Sequence, residues 1–145
     1  MTKIEAVDFT AFLPTESYVL DILSPAGKPT GWKWELAAVN HDKTVAFAEA
    51  EARRALDLAK AAREAQYNGR PLPSEERTPD QARRENMRWV VARVLSWTPV
   101  RIAGETFEFS DKATEDLLVR PEMGHVLTQI TRALGDEARF TRGSA

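Results

Sequence analysis

The chain has 145 residues, no cysteine and a formal net charge of −2 at pH 7. Its length favours one domain over residues 1–145, and 43% hydrophobic with 29% charged residues is the composition of a globular protein, not a disordered one. The lack of cysteine excludes disulfides and thiolate metal sites, and the small net charge excludes a general attraction to nucleic acid or anionic lipid.

The first predicted element is a β-hairpin over residues 16–40. A strand-prone apolar run leads into residues 24–31, which are dense in glycine, proline and serine. Trp32, Trp34 and Leu36 then alternate with polar residues, the period of two that is typical of a half-buried strand. The two tryptophans therefore share one face, where they either pack within the protein or offer a platform to a partner.

Residues 43–67 have the periodicity of a long helix. Apolar residues recur at spacings of three and four, and opposite charges four residues apart support the exposed side. The apolar stripe consists of Val45, Ala48, Ala52, Leu56, Ala59 and Ala62. Because alanine dominates it, the stripe is flat and suits close packing against another helix. Residues 68–78, with Asn68-Gly69 and two prolines, predict the end of this helix and a mobile linker.

A capping box predicts the start of the second helix. Thr78 is the N-cap, a proline follows at the first helical position, and Gln81 stands three residues after the cap. We place this helix over residues 79–97, because Pro99 disfavours the α conformation at the residue before it. Its predicted core face is Met87, Val90, Val91 and Val94. Trp89 lies away from that face.

The remaining elements are short. Residues 99–109 predict a second hairpin, Ser110 caps a helix over 111–119, and the last helix covers 121–134. The predicted fold class is mainly α with a small β component. An N-terminal β-hairpin is followed by a bundle of about four helices, with the second short hairpin before the last helices.

No residue pattern indicates catalysis. His41 and His125 are far apart and have no metal-ligand spacing, there is no cysteine nucleophile, and the serines stand at predicted caps and turns. Glycine-rich phosphate loops are absent from the sequence. We therefore expect no enzyme activity and no catalytic, cofactor-binding or metal-binding residue.

Tryptophans are the candidates for partner binding. Aromatic side chains on partly polar faces are frequent hot spots of protein–protein interfaces. The four candidates are Trp89, Trp97, Trp32 and Trp34. The same residues can instead be covered within the fold, and the sequence leaves both interpretations open.

Short segments in a fixed order carry a resemblance over residues 21–140. In chain order they are residues 23–32 (LSPAGKPTGW), Ala52-Arg53-Arg54-Ala55, Leu95-Ser96-Trp97, residues 100–105 (VRIAGE), Phe109-Ser110-Asp111-Lys112-Ala113, and Leu127-Thr128-Gln129-Ile130 with Phe140. This order resembles the tail assembly chaperones of long-tailed phages and prophages. In that family a turn after a strand, an FS-x-E/D-x-A helix start and a terminal Q-hydrophobic…F pattern are typical.

The resemblance implies a function without enzyme chemistry. Such chaperones bind the long, helical tape measure protein and keep it soluble while tail tube subunits assemble around it. They act in the host cytoplasm and are absent from the mature virion, and many also occur as a longer frameshifted form that recruits the tail tube protein. A cytoplasmic location also agrees with the lack of an apolar run of about 20 residues, the length of a membrane helix.

Other functions stay open. Another phage morphogenesis protein, such as a connector or tail-completion component, would remain in the virion. A small helical DNA-binding regulator would use a basic edge for phosphates, although Glu85 interrupts that edge. Its residues would be Arg83, Arg84, Arg88 and Arg93. Whether the chain forms a homo-oligomer is not decided by the sequence.

Overall fold

The computed structural model describes residues 4–70 and 77–141. Within these ranges about 52% of the residues are helical and 21% lie in strands, in four α-helices and two small antiparallel sheets. The elements are β1 (Ser17–Leu23), β2 (Pro29–Ala37), α1 (Asp42–Tyr67), α2 (Pro79–Val91), β3 (Val94–Trp97), β4 (Val100–Ile102), β5 (Glu105–Phe107), α3 (Asp111–Leu118) and α4 (Gly124–Gly135), with 3-10 turns at Thr10–Phe12, Pro121–Met123 and Glu137–Phe140.

The fold is mixed α/β, so the predicted mainly α fold built on a helical bundle is wrong. The core forms on one face of the β1-β2-β3 sheet, where alternate residues such as Leu20, Ile22, Trp34 and Leu36 are buried. Helices α2, α3 and α4 add apolar residues to this core, whereas α1 adds none. A bundle needs its helices to bury their faces against one another, and here the sheet takes that role.

The predicted helix over residues 79–97 is wrong in its last part. Helix α2 ends at Val91, and the chain then forms β3 along the free edge of β2, with Trp97 opposite Trp34. The amide of Ala37 donates to the carbonyl of Arg93 at 2.7 Å, which starts this pairing. The capping box and the apolar spacing are local signals, and neither reveals that a distant strand offers unpaired backbone groups.

The two predicted hairpins correspond to β1–β2 and β4–β5. In the first, Leu20 pairs with Trp34. In the second, Ala103 and Gly104 both have positive φ, 50° and 83°, as a two-residue turn of a twisted hairpin requires. The predicted last helix begins later, because a 3-10 turn precedes α4. Most of the predicted mobile linker over residues 68–78 falls on 71–76, which lie outside the described residues.

Candidate protein-binding groove

Three of the four candidate tryptophans meet inside the core. Trp32, Trp34 and Trp97 are 9%, 0% and 6% exposed, and the ring centroids of Trp34 and Trp97 lie 4.8 Å apart. The indole N–H of Trp97 donates to the carbonyl of Phe107 at 3.2 Å, and its ring meets Phe109 edge-on. Trp34 and Trp97 lie directly opposite each other on β2 and β3, so their side chains meet on the same face of the sheet. The folded protein therefore offers none of these three rings as an open contact surface.

The fourth tryptophan has a different environment. Trp89 is 44% exposed and lies on α2, facing a groove toward α1. We call this the α1–α2 groove; it is open and holds about 640 Å³. Its apolar lining is Phe47, Ala55, Leu58 and Trp89, and its polar lining is Glu51, Arg54, Arg77, Glu85, Asn86 and Arg88.

Helix α1 is fastened to the rest of the chain at its beginning. The side chain of His41 caps it by accepting from the amide of Lys43, and the hydroxyl of Thr44 donates to the carbonyl of Ala38 at 2.8 Å. The ammonium of Lys43 donates to the carbonyl of Val94 at 2.7 Å and to a carboxylate oxygen of Asp111 at 2.6 Å. These contacts set the direction in which α1 leaves the sheet.

Beyond these contacts, α1 is stabilised mainly by the hydrogen bonds of its own backbone. None of its 26 described residues is buried, over a length of roughly 39 Å. Glu51 forms an ion pair with Arg88 at 3.0 Å. Among the described residues, no side chain of α1 beyond Glu51 forms a hydrogen bond or an ion pair with another element. The predicted stripe through Val45, Ala52 and Leu56 is exposed. High alanine content and length sustain this helix without tertiary burial.

The charges in the α1–α2 groove are nearly balanced. Arg88 pairs with Glu51, and Arg77 pairs with Glu85 at 2.6 Å. The third cation, Arg54, has no ion pair among the described residues. Ion pairs at such exposed positions are weak, so they can rearrange when a partner binds. The described residues of the groove lining therefore carry one positive charge more than negative charges, beside four apolar side chains.

The arginines of the proposed basic edge are engaged within the protein. Arg84 bonds to Asp116 at 2.6 Å and to Glu115 and Asp80 at 3.0 Å each, and these carboxylates raise its pKa. The guanidinium of Arg93 donates to the carbonyl of Ala37 through Nε and Nη2, and burial lowers its pKa. The remaining two, Arg83 and Arg88, face Asp80 and Glu51. The phosphates of a nucleic acid would have to displace these carboxylates to bind the arginines.

Sequence reasoning found Trp89 but missed the other wall of the groove. Phe47, Glu51, Ala55 and Leu58 recur at helical spacing and form a second face of α1, beside the alanine stripe. The spacing was a usable signal. Which of the two faces meets another element depends on where α2 lies, and that is a tertiary property.

Within residues 4–70 and 77–141, no group of three or more histidine, aspartate or glutamate side chains is arranged to hold a metal ion. Over the same residues, no helix combines the length and the apolar character needed to cross a membrane. Comparisons with protein-family models, with curated proteins and with solved structures found no match.

Proposed function

We propose that this protein is a phage tail assembly chaperone. It binds the tape measure protein and keeps it soluble in the host cytoplasm while tail tube subunits assemble, without catalysing a reaction and without entering the mature virion. A longer frameshifted form would recruit the tail tube protein. The observation that carries the proposal is α1, a 26-residue helix that buries none of its described side chains and stands beside an exposed tryptophan.

The surface chemistry supports a helical client. Leu58 is 59% exposed and Trp89 is 44% exposed, and both line the α1–α2 groove together with Phe47. An amphipathic helix binds such a groove through apolar residues at positions i, i+3 or i+4, and i+7. A long helical protein repeats that pattern many times along its length. Several copies of the chaperone would then cover one client.

The shallowness of the groove supports release. The α1–α2 groove is open to solvent, and four of its five charged lining residues are already paired with each other. Contacts of this kind give fast dissociation compared with a deep apolar pocket, and affinity differences among related complexes arise mostly in the dissociation rate. A chaperone that must give way to tail tube subunits needs such a surface.

Another morphogenesis protein, such as a connector or tail-completion component, would use the same unpartnered helix for a permanent contact. Mass spectrometry of purified virions separates the two functions, because a structural component remains in the particle and a chaperone does not. The small DNA-binding regulator is disfavoured by the engagement of Arg84 and Arg93 with protein groups.

Co-expression with the product of the large reading frame just downstream, which the proposal expects to be a long helical protein, tests the proposal. We expect the client to be soluble with the wild-type chain and insoluble alone. Leu58→Glu should abolish this protection, because it places a charge in the groove. Leu56→Glu is the matched control, since Leu56 is 71% exposed on the same helix but about 160° away around its axis.

A client that stays insoluble with the wild-type chain would overturn the chaperone function. Equal loss in the two variants would show instead that the client binds around α1 and not in the groove. Neither substitution changes a buried residue, and leucine and glutamate have similar helix propensities, so both variants should fold.

A further inference from the structure

Near its beginning the chain exposes a second apolar surface. Five large apolar side chains within residues 4–13 are between 50% and 96% exposed: Ile4, Val7, Phe9, Phe12 and Leu13. The rings of Phe9 and Phe12 contact each other at 5.3 Å between centroids. We call residues 4–13 the N-terminal apolar segment.

The base of this segment is fixed to the rest of the protein. Pro14 forms a β-bridge with Thr141, and the hydroxyl of Thr15 donates to the carbonyl of Phe140 at 2.8 Å. Phe140 is itself buried in the core. The segment therefore leaves the body at a defined point and carries its apolar side chains into solvent. Contiguous apolar surface of this kind usually marks an interaction site.

The segment and the α1–α2 groove have complementary charges. Residues 4–13 contain Glu5 and Asp8 and no basic residue. Asp8 accepts a hydrogen bond from the amide of Thr10 at 3.0 Å, which orients its carboxylate. In the groove, Arg54 is the cation without an ion pair among the described residues. The acidic residues of the segment are thus matched to a groove of mixed polarity whose described lining carries one unpaired cation.

We propose that the N-terminal apolar segment of one copy occupies the α1–α2 groove of a second copy, and that the exchange is reciprocal. The aromatic pair Phe9 and Phe12 would lie against Leu58 and Trp89, and an acidic side chain of the segment would face Arg54. A reciprocal exchange gives a closed dimer with two-fold symmetry, in which the same contact is made twice.

The area argument favours two contacts over one. Covering the five large side chains removes on the order of 500 Å² of apolar surface from one segment. A single contact of this size is therefore weak, below the roughly 1,200 Å² of standard stable complexes, whereas a reciprocal exchange doubles the buried area. This self-association requires no client, but it occupies the groove proposed for the client, so the second copy and the client compete for one surface.

Sedimentation velocity of the full chain over a wide concentration range tests the dimer. We expect the wild-type chain to pass from monomer to dimer. Phe9→Asp combined with Phe12→Asp disables the segment, and Leu58→Glu disables the groove, so each variant should raise the dissociation constant at least tenfold. Leu56→Glu and Val39→Asp are matched controls, because they add a charge at exposed apolar positions outside both surfaces and should leave it unchanged.

Mixing the two defective variants gives the decisive measurement. The segment variant retains a working groove and the groove variant retains a working segment, so the mixture should form a heterodimer, weaker than the wild-type dimer, at concentrations where each variant alone is monomeric. Its affinity should fall between those of the wild-type chain and the single variants, since only one of the two contacts remains. Circular dichroism checks that every variant is folded.

Several results would overturn the dimer. A wild-type chain that is monomeric at every concentration would do so, including one whose segment folds into its own groove. So would a mixture that stays monomeric, or a control variant as defective as Leu58→Glu. A monomeric chain that still solubilises the client would refute the dimer and leave the proposed function standing, so the two failures can be told apart.

Discussion

Replacing Trp97 and Trp89 separately with phenylalanine tests whether the tryptophans have different roles. Trp97 is 6% exposed and packs against Trp34 and Phe109, whereas Trp89 is 44% exposed beside a groove. Trp97→Phe removes the donor that bonds to the carbonyl of Phe107, a loss of about 1 kcal/mol. The smaller ring and the void it leaves cost about 1–2 kcal/mol more.

We therefore expect Trp97→Phe to lower the free energy of unfolding by about 2–3 kcal/mol. For a chain of this size that corresponds to a Tm lower by roughly 5–10 °C. Trp89→Phe should stay within about 0.5 kcal/mol of the wild-type protein, because no buried contact is lost. Urea denaturation followed by far-ultraviolet circular dichroism measures both, with unchanged slopes as the sign that the denatured states are comparable.

Equal losses of stability in the two variants would refute this assignment of roles. A Trp97→Phe protein as stable as the wild type would refute it as well, because the hydrogen bond of the indole N–H and the contacts of its ring would then contribute nothing to stability. The binding measurements should rank the residues in the opposite order. Trp89→Ala should weaken dimerisation and client protection, and Trp97→Phe should leave both intact at temperatures where it is folded.

Two further outcomes follow from the helix ends and from α1. Thr78→Ala should lower the free energy of unfolding by about 1 kcal/mol in urea denaturation, because alanine has no side-chain oxygen to accept from the amide of Gln81. Thr78→Ser keeps that oxygen and should be as stable as the wild-type protein. A Thr78→Ala protein of wild-type stability would contradict the capping role. In hydrogen exchange, backbone amides at residues 52–67 of α1 should exchange much faster than those of β2 in the monomer and gain protection when the dimer or the client complex forms. Protection of α1 already equal to that of β2 in the monomer would show that this helix is held by contacts the structure does not contain.

Some features were readable from the sequence because they involve only neighbouring residues. The capping box at Thr78 is formed by two bonds, from the amide of Gln81 to the hydroxyl and from the amide of Thr78 back to the Gln81 side chain. Both partners lie within one turn, so their geometry follows from the helix itself. The alternation of Trp32, Trp34 and Leu36 is local in the same sense, and all three are buried on one face.

The strand β3 could not be predicted from neighbouring residues alone. Val94 and Trp97 suit a helix or a strand, and the apolar spacing of α2 continues into them. The edge of β2 decides between the two, because its backbone groups need partners and β3 supplies them, as in the bond from the amide of Thr98 to the carbonyl of Lys33 at 2.9 Å. The fold class changed with that segment, from a helical bundle to a sheet covered by helices.

The sequence by itself determined the local elements of this protein: the alternating strand with its two tryptophans, the capped start of α2 and the long alanine-rich helix. Only the tertiary structure decided which tryptophans are buried and which one faces a groove. The physical reason is that exposure depends on what packs against a residue, and Trp34 and Trp97 are covered by each other across paired strands. Trp89 remains accessible because α1 leaves the sheet beside α2 without closing over it.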